Sequence, residues 1–341
     1  MKKSRPHATL AEVAQLAGVG KATVSRVING AHKVSPHTLE RINTVIQELG
    51  YHPSQAARSL KGDRTKTLGL ILPRISDPFF ASCAEAVQSV ARSHDYLLMV
   101  VATDYDRETE VKELYTLLRH RVDGILISPT DGLSNKLSEI IDEIKIPVVT
   151  FNHPLLKARV RSVLADNYLG ARSATDHLVA HGRRRILCLG GDSSLYSIRE
   201  RQRGYKKATR SAGLKTRIEE SVNDYAGVES VLRAQCQREK PIDAIFGVRN
   251  LITIYAFQVL QVMGLRIGEE VALIGFDDFD LACTLTPSVT VVRQPIEDMA
   301  TQAANLLFEQ MRSKTIGKPT RITLQTNLIV RSSCGCHGEN R

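Results

Sequence analysis

The 341-residue chain has no tryptophan, 5% aromatic residues and only six cysteines. Nowhere does an apolar run reach the ~18 residues a helix needs to cross a bilayer, which excludes a helical membrane span. Met1-Lys-Lys-Ser-Arg-Pro-His7 is basic, but no apolar segment follows it, so no secretory signal is read and a cytoplasmic protein is expected. Cys83, Cys188, Cys236 and Cys283 stand singly in apolar or mixed surroundings, as small buried hydrophobes do. Cys334, Cys336 and His337 offer three potential metal ligands near the C-terminus. No second pair lies at zinc-site spacing, so neither a metal nor a cofactor is expected. With 43% hydrophobic and 24% charged residues, the composition excludes a disordered chain, a collagen and a disulfide scaffold.

Acidic residues are scarce at the front. Residues 1–66 hold eleven Lys or Arg against four Asp or Glu, a net +7 of the whole chain's +10. A small basic front on a nearly neutral body suggests that the front meets a polyanion.

That front reads as three short helices. Thr9-Leu-Ala-Glu12 is a capping box, followed by Leu10, Val13, Ala14 and Ala17 at helical spacing and a stop at Gly18. A second helix runs from Lys21 to about Asn29, with Val24, Val27 and Ile28 inward. Ser35-Pro36 starts a third, whose apolar stripe is Leu39, Ile42, Ile46 and Leu49 and which ends at Gly50. Two helices across a tight glycine turn, closed by a third, are helix-turn-helix geometry. The outer face of the second carries Lys21, Ala22, Ser25 and Arg26, small and basic enough to enter a major groove.

The run from Thr9 to Gly30, then Val34-Ser35, Tyr51-His-Pro53 and Ala57-Arg-Ser-Leu60, closely resembles the lactose/galactose repressor family of transcription factors. Gly20 departs from the pattern, standing where the family usually has serine. The resemblance implies DNA contacts from Thr9, Lys21, Ala22, Thr23, Ser25, Arg26, Asn29, Tyr51, Ala57, Arg58 and Leu60. Residues 51–62 form a linker in which Ser54 can cap a helix of about two turns, too short to be stable alone. By the resemblance this hinge folds on DNA, and Leu60, flanked by Arg58, wedges into the minor groove and bends the duplex.

Beyond the linker, short apolar runs alternate with amphipathic stretches. The runs are 68–72, 97–101, 124–127 and 148–149, then 186–189, 244–246, 271–275 and 289–292, with a late strand around 322–328. Helices are expected near 80–93, 107–120, 134–144, 168–181, 199–212, 227–238, 250–263 and 296–312. The alternation predicts mostly parallel sheets wrapped by helices, with ligands bound at the carboxyl ends of the strands. The expected architecture is an all-α headpiece (1–50), a hinge (51–62) and an α/β body of two lobes (63–341). The resemblance implies lobes of the periplasmic-binding-protein type, crossed three times by the chain.

Signatures of phosphate-binding loops, dinucleotide folds, serine hydrolases and zinc proteases are all missing, so no enzyme is expected. Gly190-Gly191 reads as a strand-to-helix turn and Asp176-His177 as a solvated pair. The resemblance places Phe79, Phe80, Asn152, Arg201, Arg249, Asn250, Asp277 and Gln294 around an effector. Phe80 would stack on a ligand ring, Arg201 would donate in two directions, and Asp277 would accept from hydroxyls. Asn152 stands where relatives that bind neutral sugars often carry Asp, and Arg249-Asn250 where many carry Asn-Asp. The shift toward positive charge points to a sugar acid or sugar phosphate gripped by Arg201 and Arg249, with a neutral sugar as the alternative if Arg249 instead pairs with Asp277 or points out of the cleft.

The expected protein is thus a regulator, most readily a repressor, binding a palindromic double-stranded operator as a homodimer under small-molecule control. The alternative is a stand-alone solute-binding receptor, disfavoured by the basic headpiece. The eight residues after Ser333 carry no leucine heptads, so a dimer held by the body is expected rather than a coiled-coil tetramer.

Overall fold

A computed structural model of the chain describes residues 8–28, 34–51, 64–220, 222–313 and 318–336. The chain divides into two compact units, Met1–Thr65 and Lys66–Arg341.

The first unit contains three helices, Leu10–Leu16, Lys21–Ile28 and Pro36–Leu49. The capping box is formed: the Thr9 N–H donates to Glu12 Oε2 at 2.6 Å, and Thr9 Oγ1 accepts from the Glu12 N–H at 3.3 Å. These bonds hold the Glu12 carboxyl below its usual range. Gly18 and Gly50 end their helices at φ 59° and 57°, where a Cβ would be strained. Val13, Ala14, Ala17, Val24, Ile42, Val45 and Tyr51 form the core. The third helix turns Ile42, Ile46 and Leu49 to the core as expected and buries Val45 as well, but leaves Leu39 42% exposed.

The second unit is two α/β lobes. In the first, strands β1 (Thr67–Leu72), β2 (Leu97–Ala102), β3 (Gly124–Ile127), β4 (Val148–Phe151), β5 (Arg161–Ala165) and β11 (Arg321–Leu324) lie in the order β11-β5-β4-β3-β1-β2, all parallel. In the second, β6 (Ile186–Leu189), β7 (Ile218–Glu219), β8 (Ala244–Gly247), β9 (Ala272–Phe276), β10 (Thr290–Arg293) and β12 (Asn327–Ile329) lie in the order β12-β10-β9-β8-β6-β7. Only β12 runs antiparallel to its neighbour. Helices cover both faces, so β1, β3, β4, β6, β8 and β9 are buried throughout, as parallel sheets require.

The chain crosses between the lobes after β5, after β10 and between β11 and β12. The expected late strand is therefore two strands. Gln325-Thr326 carry the chain out of one sheet and into the other. Gly190 and Gly191, at φ 88° and 89°, form the turn between β6 and the helix Tyr196–Ser211. A Cβ on Gly191 would meet Ile198 and Val248 within 2.8 Å. Among the scattered cysteines Cys83 and Cys188 are buried as expected, but Cys236 is half-buried and Cys283 is exposed on a 3-10 turn.

Candidate functional site

On the headpiece, the helix Lys21–Ile28 presents Lys21, Ala22 and Arg26 to solvent, with Thr23 and Ser25 half-buried beside them. Thr9 is exposed at its cap. Tyr51 differs from the rest of the expected DNA set, because its ring is buried in the headpiece core. Asn29, Ala57, Arg58 and Leu60 lie outside the described residues.

In the body, Phe79, Phe80, Asn152, Arg201, Arg249, Asn250, Asp277 and Gln294 line one narrow pocket. Each comes from a carboxyl end of a strand or from the element that follows it. Asp77 caps the helix Pro78–Ser93 after β1 and sets Phe79 and Phe80 on its first turn, edge to face at 5.0 Å. Asn152 and Asp277 directly follow β4 and β9 at φ 60° and 74°, a left-handed conformation that Asn and Asp tolerate better than other side chains. Arg249 and Asn250 open the helix Asn250–Val262 after β8, and Gln294 sits on the second crossing.

Arg201 is 3% exposed, and its Nε and Nη1 bond protein acceptors. Its Nε donates to Asn167 Oδ1 at 2.7 Å, and its Nη1 donates to the Val248 carbonyl at 2.7 Å and to Asp277 Oδ2 at 3.3 Å. The guanidinium lies 3.7 Å over the Phe276 ring. Burial pulls its pKa down, and Asp277 opposes that pull. Gln294 Nε2 donates to Asp277 Oδ1, while buried Gln294 Oε1 has no protein partner. Arg249 is different. Its Nη2 donates to Asn223 Oδ1 at 3.2 Å, its buried Nε has no protein partner, and among the described residues no carboxylate lies within ion-pair distance. Asp277 thus sets a counter-charge against Arg201, while Arg249 meets none among the described residues.

The cavity also has members that the sequence reading missed: Asp77, Tyr105, His153, Leu195, Ser197 and Ile198. His153 Nδ1 donates to the Pro129 carbonyl at 2.8 Å, so its Nε2 accepts from Ser197 Oγ at 2.9 Å across the lobes. Burial pushes its pKa down to about 4, and the ring is neutral. Burial raises the Asp77 carboxyl and the Tyr105 phenol above their usual ranges. The adjacency of His153 to Asn152 was the available signal; Tyr105 lay in the unread loop after β2. The pocket brings together a pair of opposite charges, amide side chains and an aromatic edge.

Residues 65–330 match the family described as periplasmic binding proteins and sugar binding domain of LacI family, and residues 9–54 match bacterial regulatory proteins, lacI family. The chain is 35% identical to the HTH-type transcriptional regulator CelR of Thermobifida fusca over 97% of this chain and 99% of that one. It is 32% identical to the ribose operon repressor of Halalkalibacterium halodurans over 95% and 96%. A solved CelR–cellobiose complex is 33% identical over 96% of this chain and 100% of that one, with a TM-score of 0.71. The lac repressor dimer bound to operator and the anti-inducer ONPF, at 23% identity, shares the fold with a TM-score of 0.86 over 96% and 99%.

Proposed function

The chain belongs to the LacI family of bacterial regulatory proteins, DNA-binding transcriptional regulators with an effector domain, and from that premise we propose how it acts. It represses transcription as a homodimer whose two headpieces read a palindromic operator, and a sugar-class effector in the cleft controls that binding. Exposed Lys21 and Arg26 on the second helix, within a headpiece region of net +7, support the DNA role. Leu97 and Val100 on the edge strand β2 leave apolar surface of the kind a second copy covers.

The effector class rests on one observation: Gln294 Oε1 and Arg249 Nε are buried polar atoms without protein partners in a cavity edged by Phe79 and Phe80. An unmade hydrogen bond at a buried group costs about 1–3 kcal/mol, so a ligand that supplies a hydroxyl to one and an oxygen to the other is favoured. A sugar ring carrying an acidic substituent does both, its anionic oxygens meeting Arg249 and its hydroxyls the Asp277–Gln294 pair. The names of the relatives, one solved with cellobiose and one a ribose operon repressor, support a sugar. Because the effector touches both lobes, it selects one lobe arrangement and thereby shifts the equilibrium of the hinge.

Calorimetry against matched neutral sugars, sugar acids and sugar phosphates tests this reading. Arg249→Ala is expected to weaken an acidic effector by about 1.5–3 kcal/mol, the worth of a hydrogen bond to a charged group. Tight binding of a neutral sugar, indifferent to Arg249→Ala, would overturn the acidic assignment.

A further inference from the structure

The chain's last described residues pack against the second lobe. Ser332–Cys334 form a 3-10 turn, and Ser333 and Cys334 are fully buried. Ser333 Oγ accepts from the Thr290 N–H at 2.8 Å and donates to the Leu273 carbonyl at 2.6 Å. Gly335, at φ 82°, then turns the chain so that Cys336 meets the helix Asn167–Ala180. His177 Nε2 lies 3.1 Å from Cys336 Sγ, and Cys334 Sγ lies 3.1 Å from the same sulfur. His177 is therefore not a merely solvated partner of Asp176, which instead pairs with Arg172 at 3.4 Å.

His181 completes the group. It stands one helical turn beyond His177, the two ring centroids are 4.3 Å apart, and one ligand atom from each of His177, His181 and Cys336 lies within 4.8 Å of the others. His181 Nδ1 donates to the His177 carbonyl at 2.8 Å. That bond fixes the tautomer and leaves Nε2 with its lone pair, the arrangement that outer-shell carbonyls impose on metal-ligating histidines.

We propose that His177, His181, Cys334 and Cys336 form a binding site for a borderline-soft divalent metal of the zinc class. Two imidazoles and two thiolates are a donor set that selects zinc over calcium or magnesium. Bonds of about 2.0–2.1 Å to nitrogen and about 2.3 Å to sulfur place tetrahedral donors about 3.3–3.8 Å apart. The ligand atoms of His177, His181 and Cys336 lie within 4.8 Å of one another and Cys334 Sγ lies 3.1 Å from Cys336 Sγ, so side-chain rotation could bring the four to these spacings. Binding forms two metal–nitrogen and two metal–sulfur bonds, each thiol releases one proton to solvent, and no electron moves. The metal would clasp the segment after the third crossing to the helix that begins at the first, whose Asn167 accepts from Arg201 in the cleft.

The test uses the untagged full chain, reduced and stripped of metal. Titration with Co²⁺ should give one equivalent bound per chain, with visible tetrahedral bands and near-ultraviolet thiolate charge transfer. Cys336→Ser and His181→Ala should each weaken binding more than about tenfold, the least that losing even an outer partner costs. His181 is exposed, so that variant keeps its fold and its circular dichroism. Zn²⁺ should raise the melting temperature of the wild type and leave that of His181→Ala unmoved. No stoichiometric binding, or binding indifferent to both substitutions, would overturn the proposal.

Discussion

Replacing Asp277 by asparagine removes one charge and one of the two oxygens that accept from Arg201 Nη1 and Gln294 Nε2. The side chain keeps its size and an acceptor oxygen, and Asn suits the φ of 74° as well as Asp does. What is lost is the anion 3.3 Å from a guanidinium that is 3% exposed. Breaking one partner out of a buried ion pair costs about 3–5 kcal/mol, because the remaining charge is uncompensated. Arg201 keeps the Asn167 and Val248 acceptors and the face of Phe276, so the low end, about 3 kcal/mol, is expected. In a unit of this size that is a fall of about 6–12 °C in melting temperature. A double-mutant cycle with Arg201→Met separates the charge from the packing. Once neither charge is present, the double variant should be less destabilised than the sum of the singles by about 2 kcal/mol or more. Denaturant melts at constant ionic strength read all four corners. A cost under about 1 kcal/mol for Asp277→Asn, with additive singles, would refute the premise that this pair needs both partners.

The remaining expectations are narrower. Leu60→Ala should weaken operator binding and reduce bending in a gel-shift and bending assay while leaving effector affinity unchanged, since it removes the wedge that the family resemblance assigns to that residue. Glu110 is buried, accepts from the Thr130 N–H at 2.6 Å, and is pushed by burial up to about 7. Its raised pKa contributes stability that is complete below the unfolded value near 4.5 and is lost as pH rises through 7. Glu110→Gln should therefore match the wild type in acid and exceed it by about 3 kcal/mol above neutrality, measured by denaturant melts across pH. Sedimentation should find a dimer without DNA, and Val100→Glu on the edge strand should shift it toward monomer.

Most of the fold was legible because parallel strands covered on both faces are continuous apolar runs, and their helices are amphipathic. The failures have physical causes. Strand β5 opens with Arg161-Ser162 and follows β4 through a loop with no helix, so the strand–helix alternation gave no cue for it. Strand β7 is two residues long and carries no periodicity. The segment 322–328 reads as one alternating strand because nothing local distinguishes Gln325-Thr326 from a polar face; only the separation of two sheets breaks it there.

Eight of the fourteen pocket-lining residues were legible in the sequence, but not the other six, nor the pairings among them. The eight cleft residues follow the family resemblance, and the chain ends that carry them converge because parallel sheets gather their carboxyl ends along one edge. Pairing depends on distances no spacing encodes. Arg201 and Asp277 lie 76 residues apart, and His177 and Cys336 lie 159 apart. In the first case proximity sets a carboxylate against a guanidinium that the sequence leaves unpaired. In the second it brings two histidines and two cysteines together, because a helix placed by its apolar face also turns its histidines toward the turn that carries Cys334 and Cys336.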